Sequence, residues 1–366
     1  MTDESTPQQG RPEQQDLFER IYNKVNADPI KALLEKAKEE MPSGDFGISG
    51  SNQELVDHLK RAASDRAIAR QQIFALLQEA EENGVQTILY YTPKSEAIRD
   101  LCSNPEEVAK RLFGADWRTK AGFPLLPRLT SGYEVVDFRS PYAGKGTDWL
   151  MKIYTFQESK VRVKDFEDEA AVQFALKLKQ NEYAVIYERR VIESVCIARW
   201  NSHREHPLLE LRIELAGRLP RFKTDINALW SRLKPAVEQE HFEFWDLRDI
   251  LDRMVRKCQD HSELYQIGLV NLKDSGEGNV RYTPYTEHEP IDTNPTRLKT
   301  IHQLLDDGGQ CDRLVMNWMA TGSEGILDGS LRTYAGSRGT NELVVRAQTT
   351  ERAVNYVTDQ LRHFAS

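Results

Sequence analysis

Cysteine is scarce in this chain: Cys102, Cys196, Cys258 and Cys311 are the only four in 366 residues, widely separated and without a C-x-x-C pair. That excludes a disulfide framework and a cysteine-built zinc site. Long apolar runs are also missing, and without about eighteen consecutive apolar residues no helix spans a membrane. The stretch 1–16 is rich in Gln, Pro and Glu and lacks the apolar core of a secretory signal. These absences set the expectation of a cytoplasmic protein with no membrane contact. An excess of positive charge is missing too, because 49 Lys and Arg stand against 57 Asp and Glu, for a net charge of −8. The chain as a whole therefore does not attract polyanions, and any nucleic-acid contact has to be local. Asp3, Glu4, Glu13 and Asp16 against Arg11 place −3 of that charge in the first sixteen residues.

With 39% hydrophobic and 29% charged residues, the remainder has the composition of a folded globular protein. Its length suits two or three domains. The expected division is a disordered tail over 1–16, a mainly helical module over 17–125, an α+β domain over 126–290, and a C-terminal α/β segment over 291–366 packed on it. In the helical module, Asp28-Pro29 starts a helix that Pro42 stops. Ser51 with Glu54 forms a capping box, Ser64-Asp65 restarts a helix ending at Asn83-Gly84, and Asn104-Pro105 opens a helix to Phe113. Strands are expected over 85–92, 149–156, 183–188, 190–200, 208–215, 264–272, 280–283, 313–319 and 342–346, with Glu188 to Arg190 as a hairpin turn. Helices are expected over 168–179, 224–235, 244–257, 296–305 and 350–364. Strands and helices do not alternate regularly, so the fold class is α+β, a helical N-terminal module followed by a mixed, mostly antiparallel sheet with helices.

One short segment echoes another. Tyr142-Ala143-Gly144-Lys145-Gly146-Thr147 resembles Tyr334-Ala335-Gly336-Ser337-Arg338-Gly339-Thr340, and each precedes a strand. Glycines around a basic residue permit a tight turn that presents one cation and free N–H groups to a phosphate. Gly144-Lys145-Gly146 is not a P-loop, since Arg139 occupies the glycine position and Gly146 follows the lysine.

Asp148, Glu158 and Lys160 have the order of a PD-(D/E)xK nuclease, in which two carboxylates hold Mg²⁺ and a lysine orients water. A Mg²⁺-dependent nuclease on these residues is the enzymatic alternative, and the only reading that asks for a cofactor. His203 with His206, and Glu287 to Asp292, are weaker metal-ligating groups that lack a fixed further ligand.

The stronger signal is local positive charge interleaved with aromatics. Lys110, Arg111, Trp117, Arg118 and Lys120 form one stretch, and Arg218, Arg221, Phe222 and Lys223 another, ahead of a helix. Lys60, Arg61, Arg66 and Arg70 form a third. With Lys145 and Arg338, the first two stretches would contact phosphates if they share a face, while Trp117 and Phe222 pack on sugar or base.

Tyr183 to Tyr187, Pro207-Leu208-Leu209 and Phe244-Trp245-Asp246-Leu247-Arg248 together resemble the strand, hairpin and helix order of the kinetochore CENP-N family, over about a fifth of the chain. The resemblance implies a helical module before an α+β domain, and DNA held by basic residues. The expected function is a non-enzymatic nucleic-acid-binding component of a larger assembly, with DNA ahead of RNA. A protein partner and a homo-oligomer fit the same picture. An adaptor that touches only protein is the third reading.

Overall fold

The computed structural model describes residues 11–120, 124–128, 131–142, 144–162, 187–215, 222–273, 276, 278–284, 290–336 and 339–365. Its first four helices form where the sequence supplies apolar residues at helical spacing. They are α1 (Arg11–Lys24), α2 (Ala27–Glu40), α3 (Asn52–Ser64) and α4 (Arg70–Glu82). The Ser51 hydroxyl accepts from the Glu54 amide and the Glu54 carboxylate accepts from the Ser51 amide, as the capping box requires. The restart expected at Ser64-Asp65 moves to Arg70. Ser64 instead closes α3, Arg66 takes a positive φ of 61°, and the Gln72 side chain accepts from the Ala69 amide to begin α4. The expected tail over 1–16 overlaps the first residues of α1, and 1–10 lie outside the described residues. Leu17, Ile21, Ile30, Leu34, Leu55, Leu59, Ile73 and Leu77 interlock, so these four helices own a core of their own.

The remaining helices are α5 (Glu96–Cys102), α6 (Pro105–Phe113), α7 (Trp117–Lys120), α8 (Phe222–Leu233), α9 (Arg248–Lys257), α10 (Pro295–Asp306) and α11 (Glu351–Ala365). None of the helices described is long and apolar enough to cross a membrane. The strands are β1 (Gln86–Pro93), β2 (Gly132–Arg139), β3 (Trp149–Arg162), β4 (Tyr187–Asn201), β5 (Leu208–Glu214) and β6 (Phe242–Phe244). They continue with β7 (Tyr265–Lys273), β8 (Asn279–Tyr282), β9 (Gln310–Trp318), β10 (Leu331–Ala335) and β11 (Glu342–Val345). All pair antiparallel in one sheet of order β2-β3-β4-β5-β1-β11-β10-β9-β7-β8, with β6 added to the end of β1. The fold is α+β, with the helical region preceding the sheet.

Two expectations change. The turn placed at Glu188 to Arg190 does not exist, because β4 runs straight through it, paired residue for residue with β3 from Arg162↔Tyr187 to Trp149↔Trp200. A run of charge suggested a turn, but no Gly, Pro or Asn there demands one. Strands β2 and β10 were absent from the sequence pattern, and both appear in the sheet. The helix expected over 168–179 lies outside the described residues.

Alternation fixes what each face of the sheet meets. On the front, Trp149, Met151, Ile153, Cys196, Ala198, Trp200, Leu209, Leu211, Leu89 and Tyr91 pack under α5, α6 and α8. On the back, Ile88, Tyr90, Leu343, Val345, Leu331, Leu314, Met316, Trp318, Tyr265 and Ile267 pack under α9, α10 and α11. The four-helix module also sits on the back, over β2 to β5. The front of β11, β10, β9, β7 and β8 carries no helix among the described residues.

Candidate functional site

Three groupings of charge deserve comparison. The first lies on the back, where α1, α4 and α11 meet β2 to β5. There the sheet presents Asp137, Arg139, Lys152, Arg199, Glu210 and Arg212, nearly all of them buried, beside a small apolar cluster of Val136, Leu150, Tyr154, Phe156, Val195 and Ile197. Arg212 donates to Glu210 at 2.7 Å and to Glu351 at 2.9 Å, while Arg199 donates to Glu351 and to Asn355. Lys152 meets Glu81 at 2.5 Å, Arg20 pairs with Glu193 at 2.5 Å, and Lys24 pairs with Glu214 at 2.5 Å. Arg139 bridges Glu82 and Asp137, and the Tyr142 hydroxyl donates to Glu351 at 3.0 Å. Each of these cations meets a carboxylate of another element, so this grouping ties helices to the sheet.

Its titration is testable. Burial raises the pKa of Glu351, but Arg212 and Arg199 outweigh burial and hold it down to about 2, against 4.5 in an unexposed-to-protein reference. A depressed carboxyl contributes stability above its unfolded pKa and loses it as pH falls toward the folded value. The unfolding free energy should therefore drop between about pH 4.5 and 2 by on the order of 3 kcal/mol more in the native protein than in Glu351→Gln. Denaturant titrations of both proteins across that range check this, and equal slopes would contradict it. Asp137, raised to about 6 by burial despite Arg139, is common to both proteins and cancels.

The second grouping is the set of residues the sequence nominated. Lys110 and Arg118 lie 3.4 and 3.7 Å from Glu106, and Arg111 meets Glu107 at 2.8 Å. Helix α6 thus neutralises its own cations. Trp117 packs edge-on to Phe138 at 5.6 Å with the front core, and Phe222 packs against that core as well. The side chain of Lys120 lies outside the described residues, as do Arg218, Arg221 and Arg338. Lys145 is exposed in the β2–β3 connection, and Lys223 is exposed at the start of α8. The described members of the set occupy α6–α7, the β2–β3 connection and the start of α8.

The nuclease arrangement is not assembled. Asp148, just ahead of β3, is fully buried and accepts from the Ser202 amide at 2.9 Å, while Glu158 is exposed ten residues further on, along that strand. At about 3.3 Å per residue that separation is about 30 Å, too far for one Mg²⁺. The side chain of Lys160 lies outside the described residues. His203 and His206 stack with ring centroids 6.3 Å apart, and His203 Nδ1 accepts from the His206 amide at 3.2 Å. Among the described residues no group of three or more His, Cys, Asp or Glu is placed to hold a metal. All four cysteines are buried and unbridged.

The third grouping is the front of β7 to β11, which carries no helix among the described residues and which sequence reading missed. Strand pairing lays its side chains in three rows. Arg281, Asn271 and Arg313 form one row, through Asn271↔Arg281 and Asn271↔Arg313. Leu269, Val315, Tyr334 and Val344 form the next. Gln266, Asn317 and Arg332 form the third, and Arg346 follows the Val345 that pairs with Thr333, beside Arg332. Arg332 and Arg346 hold their guanidinium carbons 5.5 and 4.5 Å from the centre of the Tyr334 ring. Arg281, Arg332 and Arg346 are exposed and pair with no carboxylate among the described residues. Lys273 at the margin meets Asp312 at 3.5 Å.

These three arginines are scattered over sixty-six residues and three segments, so no charge run announces them. The available signal was alternation: Leu331-Arg332-Thr333-Tyr334-Ala335 is buried at its odd positions and carries Arg and Tyr at its even ones. No protein-family model matches this chain, and no curated protein matches its sequence.

Proposed function

We propose that the protein binds nucleic acid, DNA in the first instance, as a non-enzymatic component of a larger cytoplasmic assembly, and that the open front of β7 to β11 is the contact surface. The observation that carries this reading is a convergence. Three exposed guanidiniums, Arg281, Arg332 and Arg346, pair with no carboxylate among the described residues and share one face of the sheet that carries no helix among them. Guanidinium groups on an open surface recognise phosphate oxygens bidentately, and such contacts supply most of the sequence-independent affinity for nucleic acid. The opposing pull of a net charge of −8 makes that affinity moderate and salt-sensitive.

A salt titration of binding to labelled DNA and RNA, single- and double-stranded, tests the reading. Three phosphate contacts predict a log–log slope of about −2 to −3. The triple charge reversal Arg281→Glu, Arg332→Glu, Arg346→Glu should abolish retention, while Lys110→Glu with Arg111→Glu should weaken it less than threefold. Absence of binding at low salt, or retention by the triple variant, would overturn the assignment. Strand cleavage dependent on Mg²⁺ would overturn its non-enzymatic part.

A further inference from the structure

Granting that reading, we infer that the ligand of the open sheet face is a single strand, laid flat with a base stacked at Tyr334, and not a duplex. The first ground is the order of the rows. A row of Leu269, Val315, Tyr334 and Val344, in which Leu269 and Tyr334 keep partial exposure while Val315 and Val344 are buried, is flanked on both sides by polar rows about 7 Å away at two residues of strand rise, one of them ending on the buried carboxylate of Glu342. On one side the donors include Arg281 and Asn271, and on the other Gln266, Asn317, Arg332 and Arg346. A single strand has the matching character, with apolar base faces beside an anionic backbone. A duplex hides its base faces and offers such a surface only phosphates.

Size gives the second ground. The five strands from β8 to β11 span about 19 Å at ~4.8 Å per strand, whereas the major groove is about 12 Å wide and admits a helix or a two-stranded ribbon. The face cannot enter a groove to reach base edges. It suits a polymer that lies upon it.

The third ground is the stack at the centre. The guanidinium carbons of Arg346 and Arg332 lie 4.5 and 5.5 Å from the centre of the Tyr334 ring, so ring and cations are already gathered at one place. An unpaired base has partners there, since bases stack on aromatic rings and on arginine planes alike. The amides of Asn271, Asn317 and Gln266, with both donors and acceptors, lie within one row of that position and suit hydrogen bonding to exposed base edges.

The experiment is fluorescence anisotropy at fixed salt with oligonucleotides of one sequence, single-stranded and as duplex, in DNA and RNA forms. The single strand should bind about tenfold more tightly than the duplex. Tyr334→Leu should lower single-strand affinity about tenfold and leave duplex affinity within twofold, whereas Tyr334→Phe should retain the preference. Because Tyr334 is half-buried, Arg346→Lys provides a variant that spares the fold. It keeps the charge and removes the stacking plane, and should lower single-strand affinity several-fold more than duplex affinity. Equal or tighter duplex binding, or a preference insensitive to both Tyr334→Leu and Arg346→Lys, would overturn the single-strand inference while the nucleic-acid reading stands. Binding of neither form would overturn that reading itself.

Discussion

Arg212→Ala should destabilise the protein by about 3–5 kcal/mol, the cost of removing one partner from a buried ion pair. Arg212 is wholly buried, and its guanidinium is the shared counter-charge for Glu210, also wholly buried, and Glu351. Truncation leaves those two carboxylates facing each other, with Arg199 as the nearest remaining cation at 3.6 Å from Glu210. The loss should appear as a lower midpoint in urea with an unchanged m-value if the folded state keeps its extent. Arg212→Lys should fall between, because an ammonium replaces the charge but not the fork that serves two acids. A loss below about 1 kcal/mol for Arg212→Ala would place the grouping in a solvated setting, where pairs contribute that little.

The network also explains how the N-terminal helices are held. Their apolar residues are spent on their own core, so α1 and α4 present Arg20, Lys24, Glu81 and Glu82 to the sheet. Attachment through charge is directional: each pair fixes a position, whereas apolar surfaces slide. The Tyr154 hydroxyl, which donates to Glu81 at 2.5 Å while its ring lies under Arg20, adds a further fixed point.

How legible this was depends on the range of the cause. Local signals were readable: the capping box at Ser51, the Asn104-Pro105 helix start and the apolar run of β1 depend on neighbours in sequence. Strand β2 was not, because Glu134, Asp137 and Arg139 interrupt its apolar pattern. Arg139 finds Glu82 and Asp137 finds Gln78, both on α4 and more than fifty residues away. Likewise Ala-Glu-Glu-Asn-Gly at the end of α4 looks like a solvated helix end, yet Glu81 and Glu82 are buried under β3. The basic stretches along the chain were visible for the opposite reason. Charges close in sequence on a helix are those most easily paired at i and i+4, as Lys110 and Arg111 are. Arg332 and Arg346 come from different segments, and only the pairing of β10 with β11 makes them neighbours.

The two similar turns in the sequence separate on the same grounds, and a pair of substitutions should reveal it. Gly144 and Gly336 both take positive φ, 76° and 72°, and both lie in hairpin connections, β2–β3 and β10–β11. A side chain in that conformation costs about 1 kcal/mol. Around Gly144 nothing lies within 4 Å of an added Cβ, so Gly144→Ala should cost only that amount. At Gly336 the Cβ would stand 2.1 Å from the Asp312 carbonyl oxygen, a backbone atom that can yield only if β9 moves away from β10. Gly336→Ala should therefore cost about 3 kcal/mol or more, combining the conformational strain with a forced backbone shift. The displacement falls between Arg313 and Tyr334, so it should also weaken retention of nucleic acid by the open face, which Gly144→Ala should leave intact. Equal destabilisation by the two alanines would mean that β9 and β10 are not in the close approach described, and the three rows of side chains would lose their common register.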